Sequence, residues 1–272
     1  MKAYHMNGAG NAFIMLDVRG EAFEAPSAEA VQALEVRYGQ FDQLIVLGGT
    51  RDGLSLRFWN VDGGEAGACG NGTRAAAWLV YAGGDKGELI LNTRERALKA
   101  RHGANGLVEV DMGAPQLNWR DIPLRQEFDT VRMDYSAEAE GVTLSGPGAV
   151  SMGNPHCVFH VEDLARTPIH RIGPQVECDL IFPERVNVGF AQVRARDDVR
   201  LRVWERGTGL TKACGTGACA ALVALHRQGV VDREARLSAD GGDLYARWDA
   251  HTDHVHLAGP VEMERQLDDF HL

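Results

Sequence analysis

The stretches "ACGNGTRAAAWLVY" and "ACGTGACAALVALH" are one pattern written twice, with their cysteines, Cys69 and Cys214, 145 residues apart. Ala68 and Ala213, Gly70 and Gly215, and Gly72 and Gly217 fall in step at the same offset. Trp59 in "LRFWN" matches Trp204 in "LRVWE" at 145, Asn11 in "GAGNAF" matches Asn154 in "SMGNPH" at 143, and Gly113 matches Gly259 at 146. Landmarks that keep their order with a drift of one or two residues are what a duplicated unit with small loop insertions gives. The chain reads as two homologous halves meeting near residues 115–125, with the boundary drawn at 117/118.

The local patterns give each half an α+β plan. "LSLRFWN" and "VRLRVWE" alternate as half-buried strands do. Ser27 opens a helix through Tyr38, closed by Gly39. After each repeated cysteine comes an Ala/Leu/Val-rich run ending in glycine, apolar nearly all round, which predicts a buried helix. "LKARHGANGLVEVDMG" predicts a hairpin turning at Asn105-Gly106, and "LSADGGDLYARW" its counterpart turning at Gly241-Gly242. Each half is then an antiparallel, barrel-like sheet around one central helix.

Composition removes several function classes. A net charge of −10 argues against a nucleic-acid partner, and no apolar run reaches the roughly 18 residues of a membrane span. "MKAYHMNGAGNAF" lacks an apolar stretch suited to a signal peptide, so a cytoplasmic location is expected. The five cysteines include no CxxC pair, and no metal site is expected. Only Lys2, Lys86, Lys99 and Lys212 could form a Schiff base, and neither GxxxxGK[ST] nor GxGxxG occurs. No cofactor is expected.

A thiolate is the reactive form of cysteine, and a helix N-terminus stabilises it. Cys69 and Cys214 both stand at such an end, followed by "GNG" and "GTG" whose backbone N–H groups make an anion site. A lone cysteine in apolar surroundings is ordinarily a small buried hydrophobe. That reading is kept for Cys157, Cys178 and Cys219, whereas duplication favours chemistry for the other two. Halves related by a pseudo-two-fold would bury a ligand in the cleft between them, facing it with two thiols. Such a site suits inversion of an α-amino acid: one thiolate removes the α-proton, N–H groups stabilise charge on the carboxylate, and the other thiol reprotonates the opposite face. A cysteine hydrolase would need one Cys with a His base, and His156 is the candidate, but the second thiol would then have no task.

"MNGAGNAF", "FWNVDGGEAGACGNGTR", "SMGNPHCVF", "FPERVNV" and "VWERGTGLTKACGTGACA" together resemble the diaminopimelate epimerase family over nearly the whole chain. The resemblance implies a pyridoxal-independent isomerase of lysine and peptidoglycan precursor biosynthesis, converting LL- to meso-diaminopimelate. Cys69 and Cys214 would be its acid–base pair. Gly70 and Asn71, with Gly215 and Thr216, would hold the reacting carboxylate. Asn11, Asn60, Asn154, Asn187, Glu205 and Arg206 would hold the distal end, with His156 and Gln43 auxiliary. The C-terminal segment 263–272 would join residues 1–117, leaving 118–262 as the second domain. Departures from the family's pattern are Ala12 after Gly-Asn, Leu210 before Thr211, Phe41 and Gly189.

The distal roles also make chemical sense unaided, since a second amino-acid terminus needs a carboxylate clamp (Arg206) and an ammonium acceptor (Glu205). Taken alone, that pair reads as a surface ion pair and each Asn as a turn or cap residue. Rival readings are the same chemistry on another α-amino acid, a non-catalytic amino-acid-binding protein, and pyridoxal-dependent racemisation through Lys212. The partner expected is a small amino-acid substrate; whether the protein forms a homodimer is left open.

Overall fold

The structure is a computed structural model that describes residues 1–50, 53–67, 69–103 and 106–272. The chain divides into two compact units, Met1–Asp111 with Ala258–Leu272, and Met112–Leu257. The sequence reading put those boundaries at 117/118 and 262/263.

In the first unit, β1 (Lys2–Gly8) and β2 (Asn11–Asp17) form a hairpin. Its tip holds Ala9 and Gly10 at positive φ (54° and 86°), with Asn7 Oδ1 accepting the Gly10 N–H at 2.9 Å. Helix α1 (Ala28–Tyr38) is capped by Ser27, whose side chain accepts the Ala30 N–H, and stops at Gly39 with φ 94°. It crosses to β3 (Gln43–Thr50), parallel to β2. The antiparallel β4 (Gly53–Asn60) and the short β5 (Glu65–Ala66) follow. Helix α2 (Gly70–Ala82) then crosses to β6 (Leu89–Asn92), parallel to β4, and β7 (Ala97–His102) and β8 (Val108–Asp111) complete the run.

The second unit adds a small hairpin, β9 (Ser136–Ala139) and β10 (Val142–Ser145), and then repeats the plan. β11 (Gly148–Ser151) and β12 (Pro155–His160) are followed by α3 (Ile169–Glu177) and β13 (Asn187–Ala195), parallel to β12. β14 (Asp198–Glu205) and β15 (Gly209–Thr211) lead to α4 (Gly215–Arg227), which crosses to β16 (Glu234–Ala239), parallel to β14. β17 (Gly242–Trp248) and β18 (Val255–Gly259) bring the chain back to the first unit, where β19 (Glu262–Leu267) pairs with β1. The α+β class stands, with one refinement. Four parallel pairs, β2–β3, β4–β6, β12–β13 and β14–β16, interrupt the antiparallel pattern. A helix between two neighbouring strands returns the chain to the end where it started, which makes the pair parallel.

The two central helices are buried because small side chains let strands close around them. Ala75, Ala76 and Ala77 in α2, and Ala218, Ala220, Ala221 and Ala224 in α4, are at most 1% exposed. The exception to the apolar surface of α2 is Arg74 in its second turn, which is wholly buried. One turn assignment also changes. β16 and β17 turn through Asp240-Gly241, one residue earlier than expected; the other expected turn includes Asn105, which lies outside the described residues. Cys178 is exposed, not core, because it follows the last residue of α3 beyond the buried Ile172 and Val176. Helix α3 itself escaped the sequence reading, because Gly173 and Pro174 in its middle ordinarily end a helix. Among the described residues, no helix is long and apolar enough to cross a membrane.

Candidate active site

Strand register gathers the candidate side chains at one end of each unit. In the first, β2 and β3 run parallel with Phe13 opposite Gln43, and β4 is antiparallel with Asn60 opposite Gln43. Asn11, Gln43 and Asn60 therefore share an edge. Gln43 Nε2–H donates to Asn60 Oδ1 at 2.9 Å. In the second, His156 lies opposite Asn187 on the parallel β12–β13 pair, and Val188 opposite Trp204, so Asn154, His156, Asn187 and Glu205 gather in the same way.

Each thiol is a helix cap. Cys69 is extended (φ −145°, ψ 114°) and its Sγ accepts the Gly72 N–H at 3.3 Å; Cys214 (φ −128°, ψ 115°) does the same with Gly217 at 3.4 Å. A sulfur here replaces the oxygen of an ordinary N-cap. The amides of Gly70, Asn71, Gly215 and Thr216 open their helices, where backbone N–H groups have no intrahelical acceptor. The third residue of each cap has little room for a side chain. A Cβ on Gly72 would stand 2.5 Å from Ile45 Cδ1, and one on Gly217 2.9 Å from Val203 Cγ2 and 3.2 Å from Cys214 Sγ.

The surroundings of the two thiols differ. Behind Cys69, which is partly exposed, Arg74 Nη1 donates to Asn71 Oδ1 at 2.9 Å, and Asn71 Nδ2–H donates to Asn11 Oδ1. Asp42 Oδ2 takes the Ala12 N–H at 2.8 Å and tethers the Asn11 loop. Neither Arg74 nor Asp42 was singled out from the sequence, although Arg74 ends the quoted "GACGNGTR" and Asp42 directly follows Phe41. Cys214 is buried, and its Sγ lies 3.6 Å from Thr216 Oγ1. Asn154 Nδ2–H donates to that Thr216 oxygen at 3.3 Å, and His156 Nε2–H to Asn154 Oδ1 at 3.1 Å. A relay from imidazole to amide to hydroxyl thus ends at the sulfur.

Burial and charge act on Cys214 and His156. The Cys214 thiol is pushed well above its usual pKa, first by burial and then by the Glu205 carboxylate. The Thr216 and Gly217 hydrogen bonds oppose this and do not prevail. Burial and the carboxylate therefore outweigh the helix N-terminus at this sulfur. His156 is wholly buried, and its pKa falls to about 3, chiefly by burial and then by the Arg206 charge. Its Nδ1 has no hydrogen-bond partner among the described residues, so the neutral ring presents a bare lone pair.

Thr211 Oγ1–H donates to Glu205 Oε1 at 2.5 Å, and Arg206 Nη1 donates to Glu184 O at 2.8 Å. Asn187 is buried and braces the turn. Its Oδ1 accepts the Arg206 N–H at 2.9 Å while Nδ2 donates to Pro155 O at 3.0 Å. Among the described residues, no cluster of three or more His, Cys, Asp or Glu side chains could hold a metal ion.

Comparison with known proteins gives a consistent answer. The sequence profile of the family described as "Diaminopimelate epimerase" matches residues 3–118 and 148–264. The diaminopimelate epimerase of Phenylobacterium zucineum (strain HLK1) is 47% identical over 264 residues, covering 96% of this chain and 95% of that one. That of Acidiphilium cryptum (strain JF-5) is 44% identical over 267 residues, covering 97% and 95%. Among solved structures, a predicted epimerase from Pseudomonas aeruginosa superposes with a TM-score of 0.66 at 17% identity, covering 98% of each chain. A hydroxyproline epimerase from Agrobacterium vitis, bound to trans-4-hydroxy-L-proline, does so at 0.64 and 15%, covering 98% of this chain and 90% of that one. These two share the fold. With both halves matched by one profile and close to half its residues identical to such relatives along almost its full length, the chain belongs to the diaminopimelate epimerase family of isomerases.

Proposed function

We propose that the protein inverts the α-carbon of LL-diaminopimelate to give the meso isomer, without a cofactor, with Cys69 and Cys214 as its two acid–base groups. The observation that carries this reading is the doubled cap: two sulfurs, each accepting an N–H at the mouth of a buried helix, at equivalent places in two repeats. The curated relatives supply the substrate.

In one direction of the reaction Cys69 is the base and Cys214 the acid. The Cys69 thiolate takes the α-proton, and the Cα–H electron pair spreads into the carboxylate. The helix-opening amides of Gly70, Asn71, Gly215 and Thr216 stabilise that charge. The Cys214 S–H then delivers its proton to the opposite face of Cα, leaving a thiolate there and a thiol at Cys69. The reverse direction starts from that state. At the distal end Arg206 takes the carboxylate and Glu205 the ammonium, and Asn11, Asn60 and Asn154 orient the chain. Asn187 acts through Arg206; Gln43 and His156 support their neighbours Asn60 and Asn154. The enzyme serves lysine and peptidoglycan precursor synthesis in the cytoplasm.

Proton NMR of LL-diaminopimelate with reduced protein in heavy water tests this. Loss of the α-proton signal with growth of the meso isomer is expected, abolished by Cys69→Ala and by Cys214→Ala. No exchange with folded, reduced protein overturns the substrate. Undiminished exchange in either variant overturns the two-thiol mechanism.

A further inference from the structure

The last residue of α3, Glu177, is 6% exposed, and its carboxylate belongs to none of the groups described so far. Its helix face is built around one ring. A Cβ on Gly173, one turn earlier, would stand 2.7 Å from Trp204 Cγ and Cδ2 and 3.0 Å from Trp204 Cβ. Trp204 therefore lies against bare helix backbone, with the His170 ring meeting it edge-on at 6.0 Å. This close approach brings Trp204 Nε1–H to Glu177 Oε2 at 2.7 Å. The other oxygen, Oε1, accepts the Gly207 N–H at 2.9 Å, with Arg185 Nη1 3.6 Å away on the exposed side.

The two donors flank Glu205 and Arg206 in sequence, so one carboxylate ties down both ends of the segment that carries them. The first unit ties its counterpart turn differently. There the counterpart ring, Trp59, has the Arg57 guanidinium 4.6 Å from its centroid, Gln32 Nε2–H of α1 donates to Asp62 O at 2.7 Å, and Asp62 Oδ1 accepts the Gly64 N–H at 2.8 Å. The carboxylate that accepts from both ends of the segment thus occurs in the half whose strand end carries a charged pair.

We infer that Glu177 is a positioning residue, which fixes the Glu205–Arg206 turn through Trp204 and Gly207 so that both side chains meet the distal end of the substrate in one geometry. This rests on the roles proposed above for Glu205 and Arg206. Two N–H donors on separate oxygens need a carboxylate. An amide of the same shape has one acceptor oxygen, and its NH2 group would face the second donor.

Glu177→Gln is therefore a shape-conserving test, with Glu177→Asp as the variant that keeps both acceptors. Two readouts are taken. Hydrogen exchange of a peptide covering residues 203–209 needs no substrate: faster exchange of the Gly207 amide in Glu177→Gln is expected, with α4 unchanged. In steady-state kinetics, KM for LL-diaminopimelate is expected to rise about tenfold while kcat falls less than about threefold. In an Arg206→Lys background the same change should add less than about twofold, because its effect runs through that side chain. Glu177→Asp should lie closer to wild type than Glu177→Gln, and it carries the test if the latter does not fold. Unchanged exchange overturns the inference. So do effects that multiply fully in the Arg206→Lys background, and so does an Asp variant worse than Gln. If wild type itself leaves diaminopimelate untouched, the proposed function fails, and the exchange readout still decides the role of Glu177.

Discussion

His156 should make the protein lose stability in mild acid, and the amount can be worked from its surroundings. Burial and the Arg206 charge lower its pKa from 6.5 to about 3. In the unfolded chain the imidazole binds a proton below pH 6.5, while in the folded chain it stays neutral until about pH 3. Across that window the unfolded state binds more protons, so stability is complete above the unfolded value and falls as the pH drops toward the folded one. Each pH unit costs about 1.4 kcal/mol, or roughly 5 kcal/mol over the whole window and about 3 kcal/mol by pH 4.5. That is a large part of the 5–15 kcal/mol available to a typical domain, on the order of which this protein should lie. His156→Gln keeps an N–H donor near the Nε2 position for Asn154 and removes the titration. Urea unfolding from about pH 7 down to about pH 4.5 should show the wild-type free energy falling more steeply than that of the variant, by about 1.4 kcal/mol per unit. The comparison of slopes does not depend on how much the substitution costs at neutral pH. Parallel slopes for the two proteins would refute the assignment of a buried neutral imidazole.

Three further outcomes are expected. Glu205→Gln, made in a Cys69→Ala background, should shift the onset of Cys214 alkylation to lower pH, since the Glu205 charge is one cause of its raised pKa; an unmoved profile would contradict that cause. Gly72→Ala should cost about 1–3 kcal/mol and more than about tenfold in activity, because its Cβ meets Ile45 and Phe58 behind the Cys69 cap. Gly87→Ala, whose Cβ meets only Asp85 Oδ1 at 3.7 Å, serves as the neutral control in thermal melts. Deleting residues 262–272 should lower the melting temperature. It removes the strand paired with β1, takes Leu267 from the core, and breaks the Tyr38–Phe270 stack at 4.8 Å; an unchanged melt would show that the segment is dispensable.

Much of this architecture was legible because it is local. Ser27 and Gly39 mark α1 through their own backbone chemistry, and the alternation in "LSLRFWN" reports which face of β4 is buried. α3 was not legible, since Gly173 and Pro174 are helix breakers by propensity. The helix persists because Ile169, Ile172 and Val176 pack into the second unit's core and Gly173 makes room for Trp204. The parallel pairs were missed for a related reason: alternation tells faces apart but carries no information about the direction of a partner strand.

The sequence by itself determined that the protein is a duplicated α+β chain with a thiol opening each central helix. Caps and periodicity are relations among residues close in the chain, and a repeat is a comparison along it, so all three survive being read in one dimension. Tertiary structure alone decided that the two thiols differ. Both cysteines have the same local grammar, yet the free energy of a thiolate depends on every neighbour that excludes water or carries charge. At Cys214 those neighbours include Glu205, on a strand that ends before the turn into α4. Around Cys69 they include the Arg74–Asn71–Asn11 chain, whose members come from two separate elements. Desolvation and Coulomb energy are sums over three-dimensional surroundings, and those surroundings exist only once the strands have closed around the helices.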